Sequence, residues 1–220
     1  LVPAIADLQE RIPKKIREVY FSNYRLLFYL SLPVFSAIIV FTPIISKIWI
    51  GHYEKIFIIF SILLAIGWFL NTLNVPAYFS YLGIGLLRFN VIAHVSIALL
   101  NTLLGFVLGC FYGGVGVVIG WVIALSLGSS IVYISYHLVR KISLMELIPK
   151  ESRLLIFSCL LGILFGLAIQ YKLDNSLSPF MLLCIILFAF ILISFWPFWL
   201  HPMRKRLIGW VSNEFLNRRN

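Results

Sequence analysis

Six polar side chains stand out in an otherwise apolar sequence: Asn71, Asn74, Tyr78, Arg88, His94 and Asn101. Asn71, Asn74 and Tyr78 follow one another at i, i+3 and i+7, so on a helix they share a face. Asn90, His94 and Asn101 make a similar stripe a little further on. Two such stripes on consecutive helices are able to line a cavity that accepts sugar hydroxyls, because amides supply both donors and acceptors. Arg88, between them, has the geometry to grip a phosphate bidentately. Each residue also has a plainer reading. The amides could bond to neighbouring helices, His94 could be a satisfied packing residue, and Arg88 could mark a membrane boundary.

Patterns for bond-making chemistry are absent. There is no HExxH, GxSxG or GxxxxGK[ST], and no acidic pair placed to hold a metal–nucleotide sugar. Ser126, Ser129, Ser130 and Ser135 cluster, but no acid–base partner is spaced to activate one. The three cysteines, Cys110, Cys159 and Cys184, sit inside apolar runs without CxxC spacing, which argues against a disulfide frame or a metal site. The reading is therefore no enzyme, no cofactor and no metal.

The elements that must position these residues are apolar. Of the 220 residues 61% are hydrophobic and only 12% are charged, which excludes a water-soluble globular core. From Ile56 to Val139 the only formal charge is Arg88. About 20 apolar residues already cross a bilayer, so this stretch holds several spans. Cuts at Arg88 and at Gly113-Gly114-Val115-Gly116 divide it into three. With one span before and two after, the sequence predicts an all-α polytopic membrane protein of about six transmembrane helices. Residues 1–24 form a basic segment, either a short helix at head-group level after Pro13 or a solvated linker. Residues 25–139 make a four-helix transmembrane lobe whose second span reaches about residue 87, with Asn74-Val75-Pro76 as its weak point. Residues 140–153 form a polar loop, 154–200 a terminal hairpin, and 201–220 a basic tail with an apolar patch at Trp210 and Phe215. Beginning at Leu1 without a leader-like run, the chain reads as a piece of a longer protein.

Charge supplies a test of that count. Six spans put 15 of the 18 lysines and arginines on the side of the N-terminus, leaving only Lys47, Lys55 and Lys172 on the other. Positive charge gathers in cytoplasmic loops, so both termini are expected in the cytoplasm. The net charge of +10 is then read as contact with anionic membrane lipids, not with nucleic acid. All eight carboxylates, including Glu54, Glu146, Glu151 and Asp174, fall outside the predicted hydrocarbon spans. A cation-coupled carrier usually holds one inside.

The order of features resembles the C-terminal part of the polysaccharide exporters, the O-antigen and capsule type of lipid-linked oligosaccharide flippase within the multidrug and toxin extruder superfamily. Leu1-Val2-Pro3-Ala4-Ile5-Ala6-Asp7-Leu8 looks like that family's end-of-helix signature before a basic loop. Pro43-Ile44-Ile45 with Trp49-Ile50-Gly51 is similar to the next span and its exit. Asn74-Val75-Pro76-Ala77-Tyr78, Gly83 and Arg88 resemble the following one, and Asn101 before Phe111-Tyr112-Gly113-Gly114-Val115-Gly116 the hairpin after it. The resemblance covers about residues 1–140 by motif and the final hairpin by hydropathy. It implies one lobe of a twelve- to fourteen-helix exporter in the inner (plasma) membrane, working by alternating access on a lipid-linked oligosaccharide. The N-terminal lobe of the same protein is its missing partner. Arg88 would meet phosphate, and Asn71, Asn74, Tyr78, His94 and Asn101 would meet sugar or bound water. The rival readings are a drug/cation antiporter lobe, and a membrane enzyme or scaffold of a polysaccharide assembly complex.

Overall fold

The computed structural model describes residues 2–12, 15–174 and 176–217. Leu1, Pro13, Lys14, Asn175, Arg218 and Arg219 lie outside the described residues, as do the side chains of Trp210 and Phe215. Among the described residues the chain is helical, with no strand. The elements are α1 (Val2–Arg11), α2 (Lys15–Trp49), α3 (Lys55–Gly83), α4 (Arg88–Val139), α5 (Arg153–Leu173), α6 (Pro179–Leu200) and α7 (Pro202–Asn217). Helices α2 to α6 are each long and apolar enough to cross a membrane.

Helix α4 has 52 residues and would be about 78 Å long if straight, far beyond a hydrocarbon core of about 30 Å. It is not straight. Gly113 has φ 59° and ψ −144°, a left-handed conformation that glycine alone adopts cheaply, and the chain folds back there. The rising arm (88–112) and returning arm (114–139) press together where side chains are small. A Cβ on Gly120 would lie 2.9 Å from the Gly105 nitrogen, one on Gly128 only 3.0 Å from the Ala93 carbonyl oxygen, and one on Gly116 would overlap the Leu108 carbonyl. The small-residue spacing thus permits backbone contact between the two arms. Five apolar helices therefore make six crossings, as expected for an all-α polytopic membrane protein.

Helix α2 is the spine. On one side it meets α3, which carries α4; on the other it meets α5 and α6. The first core joins Tyr24 and Phe28 of α2 to Leu73, Ala77 and Tyr81 of α3 and Val132 and Tyr136 of the returning arm. A second joins Val40 and Ile44 to Leu182, Ile186 and Phe190 of α6. The helix expected after Pro13 is continuous with the first span, so α2 starts at Lys15. Ile16 and Tyr20 in its first turns are buried in the protein and do not lie on lipid. The Tyr20 ring lies 4.4 Å from that of Tyr136, tilted by 36°, and its hydroxyl bonds to His137 at 2.8 Å.

Helix α3 runs through Pro76 without interruption but stops at Gly83, short of residue 87. Ile5 of α1 is wholly buried against that glycine, and Gly85 (φ 76°) turns the chain. Arg88 consequently opens the third crossing and does not close the second. The polar connection after α4 holds two 3-10 turns, Leu144–Leu147 and Lys150–Ser152. It is tied to α2 by Arg17–Glu146 (3.6 Å), Arg25–Glu151 (3.3 Å) and the Tyr24 hydroxyl, which donates to the Leu147 carbonyl (2.8 Å). Ser178 caps α6 by accepting from the Met181 amide, with Pro179 at its first position.

Candidate functional site

The polar face of α3 is built from three successive turns. At the first, Asn71 accepts a hydrogen bond from Ser129 of the returning arm (2.9 Å). At the next, the Asn74 side-chain oxygen is buried and has no partner among the described residues. At the third, the Tyr78 carbonyl accepts from the Asn90 side-chain amide (3.1 Å), and the Tyr78 ring meets His94 edge-on at 5.6 Å. Asn90 is buried too, and its oxygen is left without a partner. One turn beyond, the Tyr81 hydroxyl donates to Ser135 (3.1 Å), and its ring stacks on Phe89 at 5.1 Å. An unmet buried acceptor costs about 1–3 kcal/mol, more than a typical hydrogen bond returns. Two of them within 16 residues of chain make this face the strongest candidate for a bound polar guest.

The six singled-out residues are not gathered into one cavity. Tyr78 and His94 are in contact, and Asn74 lies one turn from Tyr78 on the same face. Asn71 is turned to the returning arm through Ser129, so its partner is on the fourth crossing, not the third. His94 is exposed on the outside of the bundle. Asn101 is half-buried, with no hydrogen bond to the described residues, and stands about 20 Å along the rising arm from Arg88. Arg88 is exposed at the first position of α4, its guanidinium 4.6 Å above the Phe89 ring, with no carboxylate within 4.0 Å among the described residues. Sequence reasoning missed two participants. They are Asn90, a member of the second stripe, and Ser129, one of the clustered serines.

Charged contacts gather at the two ends of the bundle. At the end opposite the termini, Lys47 contacts the Asp174 carboxylate at 2.8 Å and the Tyr53 hydroxyl donates to the same carboxylate. Gln170 donates to Tyr53 (3.3 Å). Burial would raise the Asp174 carboxyl, but the hydrogen bonds from Lys47 and Tyr53 and the lysine charge hold it below its ordinary value. Burial, and donation to that carboxylate, push the Tyr53 phenol up to about 12. At the other end His201 is buried and stacked on Tyr29 at 4.6 Å. Its Nδ1 accepts from the Met203 amide (3.2 Å), so in the neutral ring Nε2 carries the proton and donates to Ser152 (3.0 Å). Burial depresses its titration, partly opposed by Glu151. Apart from Glu18 in the first turn of α2, the described carboxylates lie outside the five long helices or at their ends. No cluster of three or more metal-ligating side chains occurs among the described residues.

No family model matches the chain, and neither a curated protein nor a solved structure does.

Proposed function

We propose that this chain is the C-terminal lobe of a flippase that carries a lipid-linked oligosaccharide across the cytoplasmic membrane for cell-surface polysaccharide synthesis, by alternating access. The observation that carries the reading is the pair of buried amide oxygens, Asn74 and Asn90, left without protein partners inside an apolar bundle. Acceptors of that kind persist where water or a polar guest completes them. A sugar presents hydroxyl donors in the density needed to do so. Arg88 adds a cation at the N-terminal end of a helix, where backbone N–H groups and dipole already favour a phosphate.

On this reading both termini are cytoplasmic, since the end of the bundle that joins α2 to α7 also carries most of the lysines and arginines. The head group would travel along the α3 face and the tail would remain in hydrocarbon, with the N-terminal lobe completing the passage. The lack of a carboxylate deep in the crossings disfavours a drug/cation antiporter.

Asn74→Leu separates a transport role from a packing role. Removing an unmet acceptor should leave thermal stability unchanged or higher. Surface polysaccharide should nevertheless fall at least about tenfold in cells that make normal amounts of the protein. Asn71→Leu with Asn101→Leu should have the same effect on export. Normal polymer output from Asn74→Leu would defeat the proposal.

A further inference from the structure

Helix α2 packs against both α3 and α5, but those two helices stand apart, and a groove of about 380 Å³ runs between them. Its floor is one face of α2, where Tyr24, Phe28, Leu32 and Ser36 recur every fourth residue. Its walls are apolar, with Phe69 and Leu73 on α3 and Ile156 and Leu160 on α5. From Tyr24 to Ser36 the groove covers about 18 Å, from the basic end to near the middle of α2. That is roughly one leaflet of a hydrocarbon core about 30 Å thick.

The dimensions select the kind of occupant. A helix is about 10–12 Å across with its side chains, so 18 Å of one fills on the order of 1,500 Å³. The groove is smaller than that, even with all of its open space counted. A slot of this size, apolar along about 18 Å of α2, suits a slender hydrocarbon chain lying along the helix.

The mouth fixes the chemistry of the other end. Ile148 lines both the groove and a polar cavity of about 440 Å³ that also holds Arg25, Lys150, Arg153, Glu146 and Glu151. Glu151 is paired with Arg25 and Glu146 with Arg17. Lys150 and Arg153 have no carboxylate within 4.0 Å among the described residues, so the cavity keeps an excess of positive charge. An apolar slot one leaflet deep, opening into an uncompensated cationic pocket, has the shape and charge of half an anionic amphiphile.

We propose that this groove is a binding site for an anionic phospholipid of the surrounding leaflet, one acyl chain lying between α3 and α5 and the phosphate held at Lys150 and Arg153. The site is separate from the polar face of α3 and stands whether or not the transport reading does. A bound chain would act as a wedge between the α3–α4 and α5–α6 pairs.

The test uses the purified protein in phosphatidylcholine vesicles doped with phosphatidylglycerol bearing a photoreactive group on one acyl chain. Labelling is expected on the segments around Leu73 and Leu160, and a phosphatidylcholine probe of the same design should label them far less. Lys150→Gln with Arg153→Gln should weaken retention of the anionic probe about thirtyfold, since each surface cation contributes about 1 kcal/mol. Leu160→Trp, at an exposed position that tolerates bulk, should block groove labelling while leaving the fold intact. Equal labelling by both probes, or labels confined to outward residues such as Leu103 and Phe188, would overturn the site. So would displacement of the probe by an isoprenoid diphosphate but not by unlabelled phosphatidylglycerol, because the groove would then belong to the tail of a transported lipid.

Discussion

The two sides of α2 are held together in opposite ways. On the side of α3 and α4 the helices are cross-linked to one another by side chains: Asn71 to Ser129 within the crossing, and Asn90 to the Tyr78 carbonyl and Tyr81 to Ser135 nearer its end. Towards α5 and α6 the middle is apolar, with Val40 and Ile44 on Leu182, Ile186 and Phe190. There most polar ties among the described residues sit at the ends, Lys47–Asp174–Tyr53 at one and Tyr29, His201 and Ser152 at the other. Apolar packing inside lipid has little hydrophobic drive, because the alternative neighbour is equally apolar. Hydrogen bonds therefore fix register on the first side, whereas on the second the middle is held largely by packing, with Val40 and Ile186 seated against Gly166 and Phe190 against Gly162.

The sharpest way to break the comparison is at the hairpin. Gly116→Leu would drive a side chain into the Leu108 carbonyl and should cost about 3 kcal/mol or more. Gly105, whose Cβ position is open, should accept alanine with no loss. Thermal unfolding in detergent, followed by tryptophan fluorescence, compares the two. Next comes the deep seam. A double-mutant cycle of Asn71→Leu and Ser129→Ala should give a coupling of about 0.6–2 kcal/mol, and a coupling near zero would erase the distinction between the two sides.

The smallest effect belongs to the outer tie. Asp174→Asn should cost about 1 kcal/mol or less, the usual worth of a partly exposed pair. Because the folded state lowers the Asp174 carboxyl, its contribution is complete above the ordinary value of 3.8 and is lost as the pH falls through the lowered one. Acid in that window should loosen the wild-type contact and leave the Asn variant unmoved, as read by hydrogen exchange at the C-terminal end of α5. His201 carries the sign at the other end. Its depressed titration means stability declines as the pH drops below about 6.5, where the unfolded chain takes up the proton first.

What was legible in the sequence follows from what one dimension records. Apolar runs, the lone Arg88 and the glycine cluster at 113–116 mark where the chain must cross and turn, because lipid leaves the backbone few alternatives. The stripe of Asn71, Asn74 and Tyr78 gave a face, since helical spacing is fixed. It could not give the partner. Whether Asn71 meets the third or the fourth crossing depends on how α4 rotates when its arms close on Gly116, Gly120 and Gly128. The end of α3 was misplaced for a similar reason, since nothing near residue 83 signals that Ile5, 78 positions earlier, is seated there. The groove is set by the separation of α3 and α5 across α2, a distance that no local pattern encodes.

The single-residue turn at Gly113 bears on how the protein is made. A loop rich in charge must be hauled through the bilayer, but here the tip between two crossings is glycine flanked by Tyr112 and Val115, with hardly any solvation to lose. The two arms, already in contact, are suited to leave the translocation machinery as one folded hairpin.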